Sequence, residues 1–196
     1  MKAGVIAVQG AFPEHVRSLE RAVANNGRRG SVITVRRLEE LEQVSCLIIP
    51  GGESTAISKL LSRHGLHDQI VNRAREGMPI MGTCAGCVLL AKEGDDEVHK
   101  TGTELLELVD IAVDRNAFGR QRESFEAPLE VKGLDAPFPG VFIRAPVINR
   151  IWGRCEVLST HAGRIVMVRQ DNLIGLSFHP ELSEDSRIHE MLLGLL

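Results

Sequence analysis

Three stretches of this chain, Ala3-Gly4-Val5-Ile6-Ala7-Val8, Cys46-Leu47-Ile48-Ile49 and Leu173-Ile174-Gly175-Leu176-Ser177-Phe178, are apolar at nearly every position. A strand with one face in water alternates apolar and polar residues, so unbroken runs belong to strands covered on both faces. Between the runs the period changes. Residues 13–25 carry Val16, Leu19, Ala22 and Val23 at helical spacing, with Pro13 suited to the first turn. Residues 32–35 read as another strand, residues 55–63 and 66–76 as helices, and Met78-Pro79-Ile80-Met81 as a strand. This alternation predicts an α/β fold: a mostly parallel sheet with helices on both faces and sites outside the carboxyl ends of its strands. From about Asp110 the segments shorten and become β-branched (125–131, 141–143, 156–159 and 165–168), which predicts an antiparallel extension of the sheet. Residues 184–196 read as a closing helix capped by Ser183, and Asp95-Asp96-Glu97 as an exposed loop.

With 196 residues, 43% of them hydrophobic, and no repeat or low-complexity tract, residues 1–196 are expected to form a single domain. A formal charge of −3 gives no electrostatic footprint for nucleic acid, and Arg28-Arg29 with Arg36-Arg37 reads as a solvated loop and strand end. No apolar run approaches the ~18 residues of a membrane span. The first strand begins at Lys2, leaving no room for a signal peptide, so the expected compartment is the cytoplasm. The four cysteines do not look like a disulfide framework.

Chemistry gathers at three loops. Met78 to Met81 runs into Gly82-Thr83-Cys84-Ala85-Gly86, a strand, sharp turn and helix start. A cysteine on such an elbow has a strained backbone and an exposed side chain, and glycines two positions to either side let strand and helix pass closely. The helix N-terminus favours its thiolate. The last apolar strand delivers His179-Pro180-Glu181, where a histidine can move the proton and a carboxylate can fix its tautomer. Pro50-Gly51-Gly52-Glu53-Ser54 follows a strand, and its glycine pair can approach a substrate and turn a backbone N–H toward an oxyanion. These residues propose a Cys84, His179, Glu181 triad with a glycine oxyanion loop.

Other readings compete. Cys84 could be a small buried hydrophobe, and Cys84-Ala85-Gly86-Cys87 has the spacing of a redox dithiol. The dithiol leaves His179-Pro180-Glu181 and the glycine loop unexplained, and no tryptophan precedes Cys84. A zinc site lacks ligands, since Cys46 and Cys155 are solitary. His64 and His67, at i, i+3 spacing, read as a polar helix face. No metal or other cofactor is expected.

Gly82-Thr83-Cys84-Ala85-Gly86 with His179-Pro180-Glu181 resembles the class I (triad) glutamine amidotransferases. More narrowly, Gln9-Gly10, Pro50-Gly51-Gly52-Glu53-Ser54-Thr55, Arg115-Asn116-Ala117-Phe118-Gly119-Arg120-Gln121, Phe142-Ile143-Arg144-Ala145-Pro146 and Ser177-Phe178-His179-Pro180-Glu181 resemble the glutaminase subunits of pyridoxal 5'-phosphate synthase. That resemblance implies a flavodoxin-like, three-layer fold and hydrolysis of L-glutamine to glutamate and ammonia. The ammonia would pass to a separate synthase subunit, a TIM barrel, within a hetero-oligomer that builds pyridoxal 5'-phosphate from ribose 5-phosphate and glyceraldehyde 3-phosphate. It also implies that Cys84 attacks the amide, His179 is base and then acid, and Glu181 orients His179. Backbone N–H groups of Gly52 and Ala85 would form the oxyanion hole, and Gly51, Gly52, Glu53, Ser54, Arg115, Ile143 and Arg144 would hold glutamine. Arginine suits an α-carboxylate and a carboxylate suits an α-ammonium. Two departures stand out: Asn25-Asn26-Gly27-Arg28-Arg29-Gly30-Ser31 is loose for a tight turn, and Cys87 replaces a bulky apolar residue and could pair with Cys84 on oxidation. A cysteine hydrolase of related fold acting on another amide, or a silent binding subunit, remains an alternative.

Overall fold

The computed structural model describes residues 1–27, 29–115 and 124–196. Its elements in chain order are β1 (Lys2–Ile6), α1 (Phe12–Asn25), β2 (Ser31–Val35), α2 (Leu38–Leu41), β3 (Cys46–Ile49), α3 (Ser54–Arg63), α4 (Leu66–Arg75) and β4 (Ile80–Thr83). They continue with α5 (Ala85–Leu90), β5 (Ala91–Gly94), α6 (Asp96–Lys100), β6 (Val109–Asp114), β7 (Phe125–Leu129) and β8 (Phe138–Phe142). The last are β9 (Val147–Ile151), β10 (Glu156–His161), β11 (Arg164–Gln170), β12 (Leu173–Leu176), a 3₁₀ turn (Pro180–Leu182) and α7 (Arg187–Leu193).

The apolar runs lie side by side. The main sheet runs β2-β1-β3-β4-β12-β11-β9-β6-β5, with β10 paired to β11. The five strands from β2 to β12 are parallel, and β12, β11, β9 and β6 are antiparallel neighbours. Strand alternation sends neighbouring residues to opposite faces. Leu47 and Ile49 pack with Ile57 and Leu61 of α3 and Ile70 of α4, whereas Cys46 and Ile48 pack with Leu19 and Ala22 of α1 and Ile188 and Leu192 of α7. Covering both faces explains why these strands read as continuous apolar runs.

Three local expectations change. Among the described residues, β7 and β8 pair with each other and not with the main sheet. Instead they carry Phe138 and Phe142 against Phe178, at ring-centroid distances of 5.9 and 5.8 Å, and Val141 O accepts from His179 N at 2.8 Å. The small sheet thus supports the loop after β12. The closing helix starts at Arg187 rather than 184, because the Pro180–Leu182 turn intervenes; Ser183 Oγ accepts from Asp185 N, and Ser186 holds the cap position. Asp95 is no idle loop residue: its side chain accepts from Val98 N to cap α6 and from Arg115 N. Arg28, part of the loose turn and of the basic cluster, lies outside the described residues. No helix among the described residues is long and apolar enough to cross a membrane.

Phe178 is fully buried between Phe138 and Phe142, so Phe178→Ala is expected to cost about 3–5 kcal/mol. A urea titration checks this; an unchanged midpoint would mean that the small sheet is not anchored through this ring.

Candidate active site

Cys84 is the only residue between β4 and α5. Its backbone, at φ 48° and ψ −104°, lies where a side chain is strained, a state kept only when the surroundings over-determine it. Two observations supply the restraint. Cys84 N donates to Leu176 O on β12 at 2.8 Å, and Cys84 O accepts from Val88 N at 3.1 Å, joining the turn to strand and helix. The flanking glycines leave space for nothing larger: a β-carbon on Gly82 would lie 2.5 Å from Gly86 O, and one on Gly86 would collide with Ile49 O. The elbow follows from local sequence, but its thiol is not open as expected; Cys84 is only 8% exposed. Gly51 explains the cover, since a β-carbon there would sit 2.5 Å from His179 Cε1 and 3.4 Å from Cys84 Cβ.

β12 carries the chain to His179, and the 3₁₀ turn folds Glu181 back onto it, giving His179 Nδ1 to Glu181 Oε1 at 2.7 Å. Burial alone would lower the imidazolium, but hydrogen bonds to Cys84 and Glu181 and their negative charge outweigh it, raising the His179 pKa to about 10. Cys84, His179 and Glu181 therefore form one connected set in which a thiol can lose its proton to a held imidazole. Burial, then repulsion from Cys84 and Cys155, pushes the Cys87 thiol far above its ordinary value, so Cys87 does not match a working dithiol. It faces β12 near Gly175, and all four cysteines are free.

The glycine loop sits against the start of α1. Ala11 N donates to Gly51 O at 2.9 Å and Glu53 N to Gln9 Oε1 at 3.1 Å, and a β-carbon on Gly10 would collide with Gly51 O. Glu53 then caps α3, accepting from Thr55 N and Ala56 N. Although burial opposes it, these bonds and the Arg115 charge hold its carboxyl below the ordinary value. Arg115 Nη2 donates to Glu53 Oε1 at 2.9 Å and Nη1 to Thr55 and Thr101 Oγ1 at 3.1 and 3.2 Å. Glu53 and Arg115 are thus mutual partners here, and Ser54 is buried beside them. Ile143 and Arg144 follow β8 as exposed residues, Arg144 at a positive φ of 46°. Residues 116–121 of the Arg115 motif lie outside the described residues. His67 Nε2 is within 3.1 Å of Leu105 O, and among the described residues no group of three His, Cys, Asp or Glu side chains is arranged to hold a metal.

Sequence reasoning missed the layer behind Glu181. His15 Nε2 lies 3.3 Å from Glu181 Oε2 and 3.0 Å from Thr83 Oγ1, and His15 Nδ1 lies 3.1 Å from His189 Nε2. The available signal was a histidine on the apolar stripe of each helix: His15 with Leu19 and Ala22, His189 with Leu192 and Leu193.

A sequence profile described as the SNO glutamine amidotransferase family matches residues 5–194. The chain is 51% identical to the pyridoxal 5'-phosphate synthase subunit PdxT of Methanosarcina mazei, over 98% of this chain and 97% of that protein. It is 47% identical to the protein of the same name from Thermococcus onnurineus, over 98% of each. A solved structure titled as a glutamine amidotransferase superposes with TM-score 0.87 at 45% identity, covering 98% of this chain and 97% of that one.

A folded-state value above the unfolded one means that the His179 imidazolium stabilises the fold fully below about pH 6.5, a contribution lost as pH rises toward about 10. Titrating the His179 ring protons by NMR should therefore show a charged ring above pH 7, with the midpoint moving down in Cys84→Ala. A midpoint unmoved by that substitution would separate Cys84 from His179.

Proposed function

Because the chain belongs to the SNO glutamine amidotransferase family, we propose that it is the glutaminase subunit of a pyridoxal 5'-phosphate synthase, hydrolysing L-glutamine to L-glutamate and ammonia. The observation that carries the chemistry is the strained Cys84 elbow beside His179, whose other nitrogen is held by Glu181. The thiol proton of Cys84 rests on His179, and the thiolate attacks the side-chain amide carbon of glutamine. When the tetrahedral intermediate collapses, His179 returns the proton to the departing ammonia, leaving a thioester on Cys84. Water, deprotonated by His179, releases glutamate. Glu181 keeps the imidazole in the tautomer that faces Cys84.

The oxyanion donors in this reading are the backbone N–H groups of Gly52 and Ala85. Ala85 follows the nucleophile at the helix start, and the Gly51–Gly52 peptide has its carbonyl held by Ala11 N. Rotating that peptide means breaking the bond to the start of α1, and losing one such donor lowers kcat by about 10²–10³. Glutamine is held by Gly51, Gly52, Glu53, Ser54, Arg115, Ile143 and Arg144. Arg144, exposed and without an ion-pair partner among the described residues, suits the α-carboxylate. Arg115 and Glu53, already paired, form a polar wall, and Glu53 Oε2, which accepts one bond from Ala56 N, has a lone pair left for the α-ammonium. The ammonia acceptor is a TIM-barrel synthase subunit bound in a hetero-oligomer, and the complex works in the cytoplasm.

Glutamate release from glutamine, measured with and without the synthase subunit, tests this reading. Cys84→Ala should abolish it, while Cys87→Ala, at a fully buried position behind the elbow, should keep most of it. Equal loss in both variants would revive the dithiol. Arg144→Ala should raise the glutamine KM by about 10-fold or more with a smaller change in kcat, since a contact made in both ground and transition states is uniform binding. An unchanged KM in Arg144→Ala and Arg115→Ala would place the pocket elsewhere.

A further inference from the structure

Behind the catalytic trio lies a row of polar groups that the acyl chemistry never touches. His15 on α1, Thr83 at the end of β4 and His189 on α7 are all fully buried. His15 lies at the Glu181 carboxylate oxygen that His179 leaves free, with Thr83 and His189 against its two ring nitrogens. Glu181 Oε2 lies 3.3 Å from His15 Nε2, near but not aligned as a hydrogen bond, and accepts no other bond among the described residues. α1 also reaches the backbone of Glu181, with Ser18 Oγ 3.5 Å from its carbonyl oxygen. Glu181 belongs to a turn of only three residues, so its side chain has little other support.

Charge and burial decide where the protons sit. Complete burial, then the charges of His189 and His179, hold His15 well below the ordinary histidine value, and burial followed by Arg21 pushes His189 down to about 3. Both rings are neutral near pH 7, and each carries one N–H. A proton on His15 Nδ1 would leave the Nε2 lone pair aimed at a carboxylate oxygen in a low-dielectric interior, which is repulsive. A proton on His15 Nε2 points to Thr83 Oγ1 and lies beside Glu181 Oε2 without hydrogen-bond alignment, and Nδ1 then accepts from His189 Nε2 at 3.1 Å. His189 Nδ1 becomes a bare lone pair, in keeping with its burial without a partner.

We propose that His15 is a positioning residue for the glutaminase reaction: its Nε2-protonated ring, kept in that tautomer by His189, braces Glu181 from behind so that Oε1 stays on His179 Nδ1. The inference rests on the glutaminase reading above. Loss of the brace lets the carboxylate swing, His179 loses its alignment on Cys84, and turnover falls without any change in contacts to glutamine.

The glutaminase–synthase complex provides the kinetic test. The amide nitrogen of glutamine can occupy the place of His15 Nε2, whereas that of asparagine overlaps Nδ1 and leaves Glu181 unbraced. His15→Asn and His15→Leu should lower kcat by about 10²-fold, with the glutamine KM within about twofold of wild type, and His15→Gln should recover most of the turnover. Undiminished kcat in a folded His15→Asn protein, a KM effect without a kcat effect, or a Gln variant as impaired as Leu would each overturn the proposal. Nitrogen-15 NMR of the histidine-labelled wild-type protein provides a readout independent of any variant's folding or activity. His15 and His189 should both appear as neutral Nε2–H tautomers near pH 7, and an Nδ1-protonated or doubly protonated His15 would refute the brace. A wild-type complex that released no glutamate would sink the glutaminase reading and the catalytic role of His15 with it, whereas a wrong His15 tautomer in an active complex would overturn the brace alone.

Discussion

The close approach of α5 to β3 and β4 is the constraint from which the rest of the site follows. Gly86 rests on Ile49 O and Gly82 faces Gly86 O, so the chain must leave β4 and enter α5 through one residue. That residue is Cys84, and its unusual φ and ψ are the geometric result. Strain of this kind costs on the order of 1–3 kcal/mol and persists only because covered strands and a packed helix hold both ends of the turn. In return the side chain has one direction available, toward Gly51 and His179.

Around this fixed point the supports differ in kind. Backbone hydrogen bonds hold Cys84 to β12 and His179 to β8. Aromatic packing of Phe138, Phe142 and Phe178 holds the small β7–β8 sheet beneath the His179 loop. The Glu181 carboxylate is buried, and a buried carboxylate needs partners on both oxygens to offset its lost hydration. His179 serves one oxygen, and His15 faces the other. One helix, α1, thus touches both ends of the candidate site: its cap residue Ala11 holds Gly51, and its buried face meets Glu181 through His15 and Ser18.

The charged groups around the glycine loop show how far residue type alone can lead. An arginine and a glutamate near a candidate pocket fit the two ends of an amino acid, yet Glu53 and Arg115 face each other, and Glu53 also caps α3. Both properties belong to the same side chains. A carboxylate already committed to two backbone N–H groups is rigid, and rigidity suits a wall that must present charge in one place.

The sequence by itself determined the parallel half of the sheet, the elbow, the His179–Glu181 pairing and the glycine loop. Each is written within a few consecutive residues: a doubly covered strand is a run of apolar side chains, an elbow is a cysteine between glycines, and a histidine two positions from a carboxylate needs only a turn to meet it. The tertiary structure decided the rest. The brace on Glu181 joins residues 68 and 174 positions apart, the Arg115–Glu53 pair spans 62, and the separate β7–β8 sheet is set by which aromatic faces meet Phe178. Contacts so distant leave no local period. His15 and His189 stand on apolar helix faces, and only the packing of α1 against α7 and β4 makes them neighbours.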